Sequence, residues 1–169
     1  CGRPVMTVEA VELMAEQRNL IGHGETGEMV GRGPAVMTGY LNDEKASAEA
    51  RRFGWHHSGD VGYRDEDGYI YIVDRIRDMV VSGGFNIFPF EIEQVLMKHP
   101  AVQDCAVIGV PDDKWGEAVK AVVQLNAGAN TGAEELIAFA KAELGGMKAP
   151  KSIDFIDSLP RSAVGKVLK

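Results

Sequence analysis

Disulfides, membrane spans and a cationic surface for nucleic acid are all missing from this sequence. Its 169 residues hold two cysteines, Cys1 and Cys105, too few for a disulfide framework. Cys105 lies in the apolar run Cys105-Ala106-Val107-Ile108-Gly109-Val110, where a cysteine behaves as a small core residue. No apolar run is long enough to cross a bilayer. The N-terminus lacks the basic-then-apolar order of a secretory leader, so a reducing, cytoplasmic setting is expected. The chain also starts without Met, as expected of a sequence whose true N-terminus lies elsewhere. Internal repeats and low-complexity linkers are absent as well. A net charge of −7 argues against a general nucleic-acid binder.

What is present is ordinary globular composition, with 45% hydrophobic and 25% charged residues in a length that suits one domain or two small ones. The charge is uneven. Residues 1–74 carry 7 basic and 13 acidic side chains, whereas residues 141–169 carry 6 basic and 3 acidic. A basic tail on an acidic protein suits a polyphosphate ligand, although a solvated surface has the same composition.

The hydrophobic pattern changes near Asp74–Asp78, the expected boundary between two domains, 1–74 and 75–169. Before it the chain is rich in strands and turns. Glu28 to Gly33 reads as a strand stopped by Pro34, and Val8 to Leu13 as another. Arg64-Asp65-Glu66-Asp67-Gly68 carries the Asp-Gly hairpin signature, followed by a strand over Tyr69–Val73. A helix is expected between Asn42 and Phe53, capped by Asn42 or Asp43. After the boundary, two short apolar pieces flank the tight turn Ser82-Gly83-Gly84. Pro89 to Lys98 is a helix: Pro89 suits its first turn, Pro100 stops it, and Ile92, Val95 and Leu96 form one stripe. Strands are expected at Gln103–Val110, Ala118–Leu125 and Ile153–Ile156. Thr131-Gly132-Ala133-Glu134 reads as a capping box opening a helix that runs through Leu144 to Gly145-Gly146.

Several motif matches dissolve on inspection. Gly22-His23-Gly24-Glu25-Thr26-Gly27 fits G-x-G-x-x-G but precedes a strand, not a helix, and is a turn. Asp65 to Gly68 lacks the spaced ligands of a calcium loop. His56-His57 has no spaced Cys or His partner for a metal site. Gly165-Lys166 is not a P-loop, because position 160 is Pro and position 167 is Val.

Four segments taken together carry a resemblance. They are Gly24-Glu25-Thr26-Gly27-Glu28 with Arg32-Gly33-Pro34 and Gly39-Tyr40; Gly54-Trp55-His56-His57-Ser58-Gly59-Asp60; Asp74 to Glu93 around Ser82-Gly83-Gly84; and Pro160-Arg161 leading to Gly165-Lys166. They resemble the C-terminal part of the adenylate-forming enzymes, in particular the AMP-forming acyl-CoA synthetases, and the likeness spans almost the whole chain. The resemblance implies an α+β fold: a β-rich end of a large AMP-binding domain, part of a distorted barrel, then a small mobile mixed C-terminal domain. Open strand edges in such a partial barrel favour self-association into a homo-oligomer.

The resemblance also implies roles. Asp60 would bind the ribose hydroxyls of ATP, a task suited to a carboxylate that accepts both, and Arg75 would contact the nucleotide. Arg77 would be the hinge, where Lys or Asp is more usual. Ser82, Gly83 and Gly84 would let the pantetheine arm of coenzyme A pass along the backbone, with Trp115 lining the same channel. Lys166 would be the catalytic lysine. The implied activity joins a carboxylic acid to ATP and transfers the acyl group to CoA, as in fatty acid metabolism. The Ser/Thr/Gly-rich phosphate loop, the Tyr-Gly-x-Thr-Glu segment tied to Mg²⁺ and the acyl pocket are not in this sequence, so the chain alone is expected to be inactive. Two rival readings are the matching part of a peptide-synthetase adenylation domain, which serves a carrier protein, and a stand-alone interaction module. Ser-Gly-Gly-x-Asn-Ile-x-Pro favours the CoA enzymes.

Overall fold

A computed structural model of the chain describes Gly2, residues 10–15 and residues 19–169. Cys1 and the first residues of the strand expected from Val8 lie outside the described residues. The chain divides into two compact units, Cys1–Arg77 and Asp78–Lys169.

The first unit is built on an antiparallel sheet of β1 (Ala10–Met14), β2 (Thr26–Arg32), β3 (His56–Arg64) and β4 (Ile70–Arg75), in that spatial order. Gly24, in the glycine-rich turn before β2, takes a φ of +79° and donates its N–H to the Arg64 carbonyl at 2.8 Å. Asp65 accepts from the Gly68 N–H and closes the β3–β4 turn. Leu13, Val30, Val61 and Ile70 are buried. Helix α1 (Glu44–Ala50) is capped by Asp43, whose Oδ1 accepts from the Ala46 N–H at 2.9 Å. Asn42 has a left-handed φ of +56° and is not the cap.

The β2–β3 ladder is irregular. Glu28 pairs with Val61 and Val30 with His57, so Ser58, Gly59 and Asp60 all stand opposite Met29. Extra residues on one strand bend it and re-aim its side chains. Side chains supply the bonds the ladder loses: Ser58 Oγ donates to the Met29 carbonyl at 2.7 Å, and Glu28 Oε1 accepts from the Gly59 N–H at 3.1 Å.

The second unit contains β5 (Val80–Ser82), β6 (Phe85–Ile87), α2 (Pro89–Leu96), β7 (Val102–Asp112), β8 (Gly116–Leu125), α3 (Ala133–Lys148) and β9 (Ser152–Phe155). Its sheet runs β6-β5-β8-β7, and β9 pairs parallel with β8. Strands β5 and β9 therefore share one edge of β8, with β7 along the other. Ile92 and Leu96 of α2 and Leu136 and Ala140 of α3 are fully buried in one cluster with Val107, Val119 and Val123. Each of the Ile, Leu and Val side chains contributes about 1.5–3 kcal/mol by leaving water.

The capping box expected at Thr131 does not form. Gly132 occupies the cap position with no side-chain bond, and the Thr131 hydroxyl donates to Glu135 Oε2 at 2.9 Å. The extended Gly132 backbone needs no hydroxyl to start the helix, and Glu135 lies one turn along. Gly145 breaks α3 with a φ of +78°, after which one more turn runs to Lys148. No helix among the described residues is long and apolar enough to cross a membrane.

Candidate functional site

The residues singled out from the sequence fall into three groups, one in the first unit and two in the second. The β2–β3 irregularity delivers Asp60, which pairs across β3–β4 with Arg75. The Arg75 Nε lies 3.2 Å from Asp60 Oδ1, with side-chain exposures of 49% and 20%. One carboxylate oxygen is thus engaged by a cation, and the group stays in contact with solvent. The Ser58 Oγ accepts from the Asp60 N–H at 3.0 Å and fixes its backbone. Arg77 lies in the short 3₁₀ turn Ile76–Asp78 and is the last residue of the first unit.

Ser82, Gly83, Gly84 and Trp115 come together at one end of the β7–β8 ribbon. Ser82 is buried and pairs with Gly116. The Gly83 N–H donates to the Trp115 carbonyl at 2.9 Å. Both glycines are left-handed, with φ of +58° and +83°. A Cβ on Gly83 would sit 2.7 Å from Trp115 Cε3, while one on Gly84 would meet nothing. The glycines therefore leave a side-chain-free backbone surface beside a half-exposed indole. Asp112 Oδ1 accepts from the Lys114 and Trp115 N–H groups, both at 2.9 Å, and holds that turn. Glu117 Oε2 accepts from the Val81 N–H at 2.7 Å and ties β5 to β8. Glu117 was not singled out from the sequence, where nothing distinguishes it from other exposed acids.

Lys166 belongs to the other end of the ribbon. The segment from Pro160 folds back on itself through a bridge between Arg161 and Val167. Ser162 donates to the Lys166 carbonyl at 2.7 Å, and Gly165 donates to the Ser162 carbonyl at 2.9 Å. Arg161 donates to the Gly165 carbonyl at 2.7 Å through Nη1 and pairs with Asp104 of β7 through Nη2. The Lys166 side chain is exposed. Asp104 and Asp112 stand eight residues apart on β7, which at an ordinary strand rise is about 26 Å. The Lys166 loop and the Gly83–Trp115 turn thus occupy opposite ends of one rigid ribbon.

Next to the Lys166 loop, burial pushes the Cys105 thiol up to about 12, with Glu93 and Asp104 adding to the effect. A thiol held protonated is a poor nucleophile and metal ligand, so Cys105 is a packing residue. Among the described residues no group of three or more His, Cys, Asp or Glu side chains is placed to hold a metal.

Residues 91–166 match the AMP-binding enzyme C-terminal domain. The chain therefore contains an AMP-binding enzyme C-terminal domain. A feruloyl-CoA synthase of Amycolatopsis sp is 51% identical over 146 residues, which are 86% of this chain and 30% of that protein. A long-chain-fatty-acid–CoA ligase of Bacillus subtilis (strain 168) is 44% identical over 168 residues, 99% of this chain and 30% of the ligase. The fold is shared with o-succinylbenzoate CoA synthetase of Bacillus subtilis in complex with its acyl-adenylate intermediate: TM-score 0.87, 37% identity, over 98% of this chain and 33% of that one. The chain therefore spans about a third or less of the length of these adenylate-forming relatives.

Proposed function

We propose that this chain supplies the C-terminal part of an ATP-dependent acyl- or aryl-CoA ligase, which forms an acyl-adenylate and passes the acyl group to CoA. The observation that carries the reading is the placement of Lys166 and the Gly83–Trp115 turn at opposite ends of the β7–β8 ribbon. One small domain then offers two chemistries, and turning it exchanges one for the other. Arg77 is the proposed hinge, since the division between the two units falls just after it. The domain limits proposed for the function are 1–74 and 75–169.

Attack of a carboxylate on the α-phosphate brings two anions together and gathers negative charge on the phosphoryl oxygens. An ammonium on a long exposed side chain, as at Lys166, offsets that charge in the transition state. Asp60 and Arg75 act on the nucleotide, the carboxylate as acceptor for ribose hydroxyls and the guanidinium as a donor beside it. In the second step the backbone of Ser82-Gly83-Gly84 passes the pantetheine arm, and Trp115 covers one side of it. ATP, CoA and a carboxylic acid are thus the proposed small-molecule partners, in a cytoplasmic setting that suits the free thiol of Cys105. Mg²⁺ would neutralise charge on the polyphosphate when bound. The residues that choose the acid are not proposed to lie in this chain.

The test uses the native-length protein. Pyrophosphate release from ATP is measured with ferulate, 2-succinylbenzoate and fatty acids, followed by thioester formation with CoA. Lys166→Ala should lose pyrophosphate release by about 100- to 1,000-fold, yet still pass the acyl group from a synthetic acyl-adenylate to CoA. The 169-residue chain alone should release no pyrophosphate. Transfer to a carrier protein but not to CoA would replace this reading with that of a peptide-synthetase adenylation domain. Absence of any adenylation at native length would replace it with a binding module.

A further inference from the structure

Lys166 is exposed and near the end of the chain, yet the loop that presents it is tied down on both sides. On one side Arg161 pairs with Asp104 through Nη2 and holds the Gly165 carbonyl through Nη1. On the other, Lys169 Nζ lies 2.7 Å from Glu93 Oε1, and that same oxygen accepts from the Val107 N–H at 2.8 Å. Asp104 and Val107 are on β7 and Glu93 is on α2. The acids that receive the two anchors therefore belong to the buried framework and not to the loop. Inside the loop the remaining bonds are local: Ser162 with Lys166, Gly165 with Ser162, and Leu168 with Pro160. Between two paired cations stands Lys166, whose amine has no carboxylate partner among the described residues.

Such an arrangement separates fixing the backbone from using the side chain. A flexible tail bearing a lysine would sample many positions, and the entropy of fixing it would be lost at each turnover. Ion pairs in contact with solvent contribute little to stability on their own, and both of these pairs are only partly buried, so their standing on either side of one unpaired lysine points to placement. We propose that Asp104, through Arg161, and Glu93, through Lys169, are positioning residues that hold the Lys166 loop against β7 and α2 for the adenylate-forming step alone. This rests on the ligase reading given above.

The experiment compares both half-reactions in the native-length protein, using the acid that best supports pyrophosphate release and its synthetic acyl-adenylate. Lys166→Ala serves as the control for the underlying reading. Asp104→Asn and Arg161→Ala should each lower pyrophosphate release roughly 10- to 100-fold, the range for a misplaced group, and leave transfer from acyl-adenylate to CoA within about twofold. The exchanged pair, Asp104→Arg with Arg161→Asp, should restore most of the first step. Amide hydrogen exchange should quicken at Gly165 and Leu168 in the single variants, while Val107 and Val119 stay protected and report an intact core.

Equal loss of both half-reactions would mean a structural role and overturn the proposal. So would unchanged pyrophosphate release in Asp104→Asn and Arg161→Ala when Lys166→Ala is defective, or unchanged exchange at Gly165. If Lys166→Ala itself keeps full pyrophosphate release, the ligase role of the lysine has failed and the positioning claim falls with it. Exchange needs no substrate and judges the anchoring in either case.

Discussion

Arg75 and Asp60 face each other across β3 and β4, with 3.2 Å between Nε and Oδ1. Asp60 reaches that position because Ser58, Gly59 and Asp60 together oppose the single residue Met29. The pair lies on strands, which hold side chains in place more firmly than a loop does.

For Asp60 the expected outcome is a nucleotide defect. A hydrogen bond to a charged group is worth about 1.5–3 kcal/mol, so Asp60→Ala should raise the KM for ATP about 10- to 100-fold. The KM for CoA should stay unchanged. Steady-state kinetics of the native-length protein with each substrate varied in turn checks this, and an equal rise in both KM values would refute it.

The two glycines of the Ser82-Gly83-Gly84 turn should differ in tolerance. Each is left-handed, so alanine at either meets backbone strain of about 1–2 kcal/mol. Only at Gly83 would the new methyl also collide with the Trp115 ring, 2.7 Å away. Gly83→Ala should therefore lower the melting temperature more than Gly84→Ala. Trp115→Ala should remove the excess in the Gly83→Ala background without removing the strain. Equal shifts for the two alanine variants would show that the indole does not press on the turn.

How far the sequence could be read follows from the range of each interaction. Helix α2 was legible because Pro89, the Ile92-Val95-Leu96 stripe and Pro100 all lie within one segment, and those three apolar residues are buried. The β3–β4 turn was legible for the same reason, since Asp65 to Gly68 is a local signal. Thr131 misled because the side chain one turn on, Glu135, took its hydroxyl. The contact of Gly83 with Trp115 and the pairing of Asp104 with Arg161 join segments 32 and 57 residues apart. No spacing rule reaches that far: only the resemblance put Trp115 in one channel with Ser82-Gly83-Gly84, and nothing joined Asp104 to Arg161 before the strands were in register. The two extra residues opposite Met29 were equally hidden, because a ladder irregularity belongs to a pair of strands and not to one of them.

Cys105 gives a pH prediction with a definite sign. Its thiol is pushed up to about 12 in the folded chain by burial first, then by Glu93 and Asp104. In the unfolded chain it titrates near 8.5. Below that value both states hold the proton and stability is unaffected. Above it the unfolded chain has lost a proton that the folded chain keeps, so stability falls as pH rises, by up to about 1.4 kcal/mol per pH unit until the folded thiol ionises. Urea unfolding of the chain between pH 8 and 11 should therefore show a steeper loss than the Cys105→Ala variant. Parallel curves for the two would remove Cys105 from the account.

Glu28 supports the stretch of β3 that carries Asp60. Its side chain is only 10% exposed and serves three donors: His57 Nδ1 at 2.6 Å, Arg52 Nη2 at 3.0 Å and the Gly59 N–H at 3.1 Å. Removing one partner from a buried charge network leaves the others uncompensated, at a cost of about 3–5 kcal/mol. Glu28→Ala should accordingly strip amide protection from β2 and β3 and leave β7 and β8 protected, because no part of the network belongs to the second unit. Glu28→Gln keeps the shape and one acceptor, so its loss should be smaller. Both variants should also raise the KM for ATP, since the irregularity that presents Asp60 depends on the Gly59 bond. Hydrogen exchange and ATP kinetics on the same preparations decide the matter. Lost protection without a rise in KM would mean that Asp60 keeps its place unaided, and that Glu28 contributes to the fold alone.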